Sequence, residues 1–157
     1  MSALHRVEDP ETFMRVALAA GRHALPACLP NPPVGCALVR AGRVIATGFT
    51  SRPGLPHAEP AALREVEGDL PDVAAFVTLE PCSFHQRTPS CARELVARRV
   101  GAVYVAILDP HPRNRGAGLA ILRDAGIAVY EGILAEEATR DLGPYLWRAG
   151  SPPDVDQ

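Results

Sequence analysis

The chain has 157 residues, 47% of them hydrophobic, and its 16 basic side chains, all arginine, against 18 acidic ones leave a formal charge of −2. So balanced a charge gives no general attraction for a phosphate polymer, which disfavours nucleic acid as a partner. No apolar run reaches the ~18 residues of a membrane span, and the amino terminus lacks a basic-then-apolar secretion signal, so the cytoplasm is the expected compartment.

In chain order, Asp9 and Pro10 read as a cap and a first-turn proline. Phe13, Val16, Ala17 and Ala20 recur at helical spacing, so a first helix is expected to about Ala24, broken by Asn31-Pro-Pro. Val34 to Val39 and Val44 to Phe49 are apolar runs joined around Ala41-Gly42, an antiparallel hairpin. Pro60 has no N–H to pair, so a second helix must begin within His57 to Glu59. Ala74 to Leu79 reads as a third strand whose end delivers Glu80-Pro81-Cys82 into a loop. Ser90 is a plain cap for a helix from Cys91 to about Arg99. Val103 to Leu108 and Ile127 to Tyr130 are strands joined through a helix over Gly118 to Ala125, a connection that makes them parallel. Leu134 to Asp141 is a candidate terminal helix. Residues 1–150 therefore read as one α/β domain, a mixed five-stranded sheet with helices on both faces and the last two strands parallel. The polar, proline-rich SPPDVDQ at 151–157 reads as a disordered tail.

Three groups in this frame are spaced to hold one zinc ion: His57 in PHAEP, then Cys82 and Cys91 in TLEPCSFHQRTPSC. A structural zinc site is closed by four protein ligands, and neither run supplies a fourth. The set therefore matches catalytic zinc, which keeps a position for water and lowers its pKa towards ~7. Glu59, two residues from His57, is placed to take a proton from that water and hand it on. His-x-Glu followed by Pro-Cys and a second Cys is the zinc nucleobase deaminase signature, although eight residues separate the cysteines here instead of two. Reduced thiols suit such ligation and make a disulfide framework an unsuitable reading of the four cysteines. Of the remaining pair, Cys36 reads as a buried strand residue and Cys28 as a loop or helix-end thiol. Arg52, Arg87, Arg113 and Arg115 cluster near the motifs, where arginine forks suit a phosphate on a small substrate, although about half are expected to be solvated surface charges.

The runs NPPVGCALV, PHAEPAAL, TLEPCSFHQRTPSC and DPHPRNRGAGLAILRDAGIAV resemble, in order and spacing, the deaminase domain of the bifunctional riboflavin biosynthesis protein, in the cytidine deaminase superfamily. The resemblance implies that superfamily's three-layer α/β/α fold, a dimer or larger assembly, and a reaction in which activated water replaces an exocyclic amine on a pyrimidine ring. It matches His57, Cys82 and Cys91 to the zinc ligands and Glu59 to the proton shuttle. Asn31 matches an asparagine that orients the base, although Asn-Pro is also a common turn. Arg87 and Thr88 match a pair that contacts the phosphoribosyl part of the substrate, and Asp109 an aspartate in the next loop; turn-stabilising hydrogen bonds are the alternative for all three.

The sequence also departs from the family pattern. Thr50 stands where the family usually has histidine after the second strand, Phe84 where CSH is expected, Gln86 for a glycine and His111 for an asparagine. Phe84 can stack on a flat base or simply pack its loop. Lost polar partners can shift specificity by several powers of ten. The bifunctional protein also continues into a reductase domain that does not fit within 157 residues. A separate reductase is one explanation; a relative acting on another amine, such as a purine, a pterin or a specialised metabolite, is the other, towards which these changes lean. The leading expectation is a zinc-dependent deaminase of a small heterocyclic amine, an aminopyrimidine first. A polynucleotide base deaminase, a non-catalytic zinc-stabilised module and a metal-free scaffold are the alternatives.

Overall fold

Ala41 and Gly42 carry φ angles of 51° and 75°, the paired left-handed conformation of a two-residue turn that suits twisted antiparallel strands. That turn joins β1 (Gly35–Arg40) to β2 (Arg43–Phe49). The structure is a computed structural model and describes residues 7–84 and 89–150. Around the hairpin lie α1 (Pro10–Arg22), α2 (Ala58–Leu63), β3 (Val73–Leu79), α3 (Cys91–Ala97), β4 (Ala102–Ile107), α4 (Ala117–Asp124), β5 (Ala128–Glu131) and α5 (Ala135–Leu142).

The five strands form one sheet in the order β2-β1-β3-β4-β5, with β1 antiparallel to both neighbours and β3, β4 and β5 mutually parallel. Strand β3, VAAFVTL, is apolar without alternation except at Thr78 because both of its faces are covered, and every residue of it is buried. Its side chains still alternate between two cores. Ala75 and Val77 join Cys36, Leu38, Val103 and Val105 beneath α2, α3 and α4. Ala74 and Phe76 join Ala37, Val39 and Tyr104 beneath α1 and α5. The second face carries an aromatic row: Phe76 stacks on Tyr104 with centroids 4.5 Å apart, and Tyr104 on Tyr130 at 4.6 Å. The expected three-layer α/β/α architecture is therefore present, and Cys36 is buried in β1 as expected. Among the described residues, no helix is long and apolar enough to cross a membrane.

Two local expectations need correction. Helix α1 stops at Arg22, short of Ala24, because Leu25 precedes Pro26 and a residue before proline is driven out of the helical region. Asp9 stands at the N-cap position without a side-chain bond to the helix backbone; its carboxylate instead accepts the Thr12 hydroxyl at 2.6 Å. The segment 151–157, read as a tail, lies outside the described residues.

Glycine sets two spacings that matter for the site. A Cβ on Gly48 would lie 2.4 Å from the Ala58 carbonyl, so β2 and the first residue of α2 approach this closely only over glycine. A Cβ on Gly118 would lie 1.9 Å from the Pro81 carbonyl, which brings α4 against the loop carrying Cys82. The far end of α2 is held by Arg98, whose guanidinium donates to the carbonyls of Leu63 at 2.9 Å, Gly68 at 2.8 Å and Val66.

Candidate metal centre and active-site cleft

Two helix starts and one strand end meet at the carboxyl edge of β3. His57 is the N-cap of α2, Cys91 is the first residue of α3, and Cys82 follows β3 through Glu80-Pro81. One ligand atom from each lies within 4.8 Å of the others. His57 Nδ1 is 3.3 Å from Cys91 Sγ and 3.9 Å from Cys82 Sγ. Tetrahedral zinc with bonds of ~2.0–2.3 Å places its ligand atoms roughly 3.6–3.8 Å apart, so the donor set and its spacing fit this metal.

The electrostatics of the three donors suit a cation. Cys82 is lowered to about 5, first by the hydrogen bond from Cys91, with His57 and the Cys91 N–H assisting against burial. That N–H, the first of α3, donates to Cys82 Sγ at 3.2 Å. Cys91 moves well upward, because of its bond to Cys82, its burial and the nearby Glu59 charge. The thiolate is thus favoured on Cys82 and disfavoured on Cys91, whereas a metal is bound by thiolates.

Glu59, 3% exposed, faces the same cleft. Burial pushes its carboxyl up to about 7, the Cys82 charge adds to this, and His57 opposes it. Asn31, Pro32, Val34, Thr50, Leu79, Glu80 and Asp109 complete the lining of a cleft whose empty space, counted out to solvent, is about 400 Å³. Asn31 is 4% exposed, and its Nδ2 has no hydrogen-bond partner among the described residues. A buried donor left unpaired is costly and points to something else that pairs it.

The other expected binding residues divide. Thr50 lines the cleft, but its hydroxyl accepts the Val34 N–H at 3.1 Å and so ties the end of β2 to the loop before β1. Asp109 also lines it, with one carboxylate oxygen accepting the His111 N–H at 3.0 Å and the other the Asn114 amide at 3.2 Å. Phe84 and His111 are not among the lining residues. The Arg113 guanidinium lies 4.2 Å above the Phe84 ring, and His111 contacts Phe84 and meets Trp147 edge-on at 5.6 Å. Arg52, Arg113 and Arg115 are exposed. Gln86, Arg87 and Thr88 lie outside the described residues.

Two residues of the site escaped the sequence reading. The Glu80 carboxylate accepts three backbone N–H groups, from Asp109 at 3.1 Å, Gly116 at 3.0 Å and Leu119 at 3.1 Å. Asn114, fully buried, bonds to residues on both sides of Cys82. A signal for Glu80 was present: a carboxylate directly after a seven-residue strand that is apolar except for Thr78 needs buried donors. Ser90 also does more than cap, since its hydroxyl accepts from Arg93 N at 3.3 Å and donates to the Cys82 carbonyl at 2.8 Å.

A three-donor cluster beside a buried glutamate, at the edge of a mixed sheet between two helical layers, defines a class, and the sequence agrees with it. The chain belongs to the family of the cytidine and deoxycytidylate deaminase zinc-binding region, whose pattern matches residues 7–107. Within that class it is 45% identical over 134 residues to riboflavin biosynthesis protein RibD of Chlamydia muridarum, covering 85% of this chain and 36% of that protein. Identity to RibD of Escherichia coli is 41% over 128 residues, 82% of this chain and 35% of that protein. Among solved structures, Acinetobacter baumannii RibD superposes with a TM-score of 0.84 at 38% identity, over 88% of this chain and 39% of that one. A Thermotoga maritima diaminohydroxyphosphoribosylaminopyrimidine deaminase/5-amino-6-(5-phosphoribosylamino)uracil reductase gives 0.81 at 38%, over 87% and 40%. The chain thus spans little more than a third of the length of the curated relatives it matches.

Proposed function

We propose that this chain is a hydrolytic deaminase of an aminopyrimidine, acting at the step that the deaminase part of RibD proteins carries out in riboflavin biosynthesis. The observation that carries the reading is the meeting of His57, Cys82 and Cys91 within 4.8 Å, in one cleft with buried Glu59 and the unpaired Asn31 amide. His57, Cys82 and Cys91 would hold the zinc ion, which when bound would supply activation of water near neutral pH.

The remaining work falls to side chains. Glu59, with its carboxyl near 7, accepts a proton at its carboxylate oxygen and returns one to the departing amine, so it changes state readily at working pH. Asn31 Nδ2 donates to an acceptor on the ring edge and turns the amine-bearing carbon towards the metal. Identity with RibD proteins supports the aminopyrimidine over the other heterocycles, and so does the placement of the changed residues. Phe84 and His111 pack against each other, and the Thr50 hydroxyl is already bonded to Val34. A phosphoribosyl group on the substrate, as the name of the Thermotoga relative indicates for that protein, would extend towards the exposed arginines Arg52, Arg113 and Arg115. We read residues 1–150 as one catalytic unit.

Purified protein assayed for zinc and for ammonia release from the phosphoribosylated diaminopyrimidine tests this. The expected result is close to one zinc per chain and turnover. Glu59→Gln should keep the metal and lose at least ~100-fold in rate, as removal of a general acid/base does. Zinc-loaded protein that releases no ammonia from this amine would overturn the assignment.

A further inference from the structure

Cys82 lies in a loop, and something must fix its sulfur relative to ligands presented by helix starts. The peptide groups on its two sides are both held by one side chain. Asn114 Oδ1 accepts the Ser83 N–H at 2.9 Å, and Nδ2 donates to the Pro81 carbonyl at 3.3 Å and to Asp109 Oδ2 at 3.2 Å. The amide uses both of its protons and its oxygen at 0% exposure. Asn114 is itself fixed, because its N–H bonds to the His111 carbonyl at 2.9 Å and its carbonyl accepts Ala117 N. We propose that Asn114 is the positioning residue of this centre: it sets Cys82 by clamping the peptides before and after it, and ties that setting to Asp109 on the cleft wall.

The geometry argues for positioning and against generic packing. A leucine of similar volume would fill the space and orient nothing, whereas an amide reads one donor and two acceptors at fixed directions. Residues that orient metal ligands in this way typically change metal affinity when replaced. The inference rests on the zinc-deaminase reading of the site.

Its test compares Asn114→Ala and Asn114→Asp with Phe13→Ala, which loosens the aromatic packing on the opposite face of the sheet and serves as a destabilised control. Asn114→Asp keeps the acceptor for Ser83 N–H but turns an oxygen towards the Pro81 carbonyl and the Asp109 carboxylate. Zinc affinity is measured by chelator competition, and the visible spectrum of the cobalt-substituted protein reports thiolate geometry. The expected result is about a 10–100-fold loss of zinc affinity and an altered cobalt spectrum in both Asn114 variants, with neither change in Phe13→Ala. Folded Asn114 variants with wild-type affinity and spectrum overturn the proposal, as does an equal loss in Phe13→Ala. Should both Asn114 variants fail to fold, the wild-type protein decides: the Asn114 amide protons are expected to be protected from solvent exchange and to shift on zinc binding, and unprotected protons overturn it. Wild-type protein that binds no zinc sinks the functional reading itself, a different result from zinc-binding protein indifferent to Asn114.

Discussion

Two buried glutamates and one buried asparagine line the cleft, a second buried asparagine, Asn114, stands behind Cys82, and each pair is split between opposite uses. On the wall formed by residues 80–84 and 109–119, Glu80 accepts three backbone N–H groups and Asn114 satisfies its whole amide. On the facing wall, Asn31 Nδ2 has no partner among the described residues, and Glu59 is raised to about 7 with its carboxylate directed at the donor cluster. Residue type alone does not separate a positioning group from a reacting one. For the asparagines satisfaction does: Asn114 spends its amide on holding the chain, while Asn31 Nδ2 is left for a ligand; for the glutamates the surroundings do, since Glu59 lies against the donor cluster and Glu80 against backbone N–H groups.

Removing Glu80 should produce the largest effect. Glu80→Ala strands three buried N–H groups, each worth roughly 1–3 kcal/mol when left unpaired, so a loss of about 3 kcal/mol or more is expected in chemical denaturation. Glu80→Gln retains an acceptor for part of the set and should lose less. Equal stability of Glu80→Ala and wild type would erase the contrast between the walls.

Glu59 should behave oppositely, and pH exposes it. In protein stripped of metal, its carboxyl goes from an ordinary 4.5 in the unfolded chain to about 7 in the fold. Below 4.5 the group is protonated in both states and no stability is lost. As pH rises towards 7 the unfolded chain ionises first, so the fold loses up to ~3 kcal/mol. Glu59→Gln should lack that decline and be the more stable protein above pH 7, as paired denaturation curves between pH 4 and 8 would show. A carboxylate that stabilises the fold at neutral pH would give the reverse sign.

Much of this arrangement was legible in the sequence, and its limits have a physical source. Zinc ligation reads from local spacing, since His57 and Glu59 share one helix start and Cys82 and Cys91 flank one loop; the sheet reads from apolar runs and turn residues. The partners of Asn114 and Glu80 were not legible because, Asp109 beside Asn114 apart, they lie 29 to 39 residues away in the chain, and the close approach of α4 over Gly118 brings them together. Phe84 and His111, substrate-binding candidates at positions where the sequence departs from the family pattern, lie together, with Arg113 above the Phe84 ring and Trp147 against His111.

Ser90 gives an intermediate case, since it braces the loop carrying Cys82 from the start of α3 but contributes only a hydroxyl. Ser90→Ala removes the Arg93 N–H cap and the bond to the Cys82 carbonyl, for an expected loss of about 1–2 kcal/mol in thermal or chemical denaturation.

Asn31 should show the smallest change in stability and the clearest separation of fold from function. Its Nδ2 makes no bond among the described residues that replacement could break, so Asn31→Ala removes a buried unpaired donor along with some packing, and these offset. Denaturation midpoints should therefore agree within about 0.5 kcal/mol, the range of substitutions that break nothing specific. Turnover should not agree. Losing a preorganised donor aimed at the reacting ring lowers kcat/KM by about 10²–10³-fold, with zinc content unchanged because Asn31 is not a ligand. A large loss of stability with normal turnover would place Asn31 on the structural side and leave the facing wall without its ligand-directed donor.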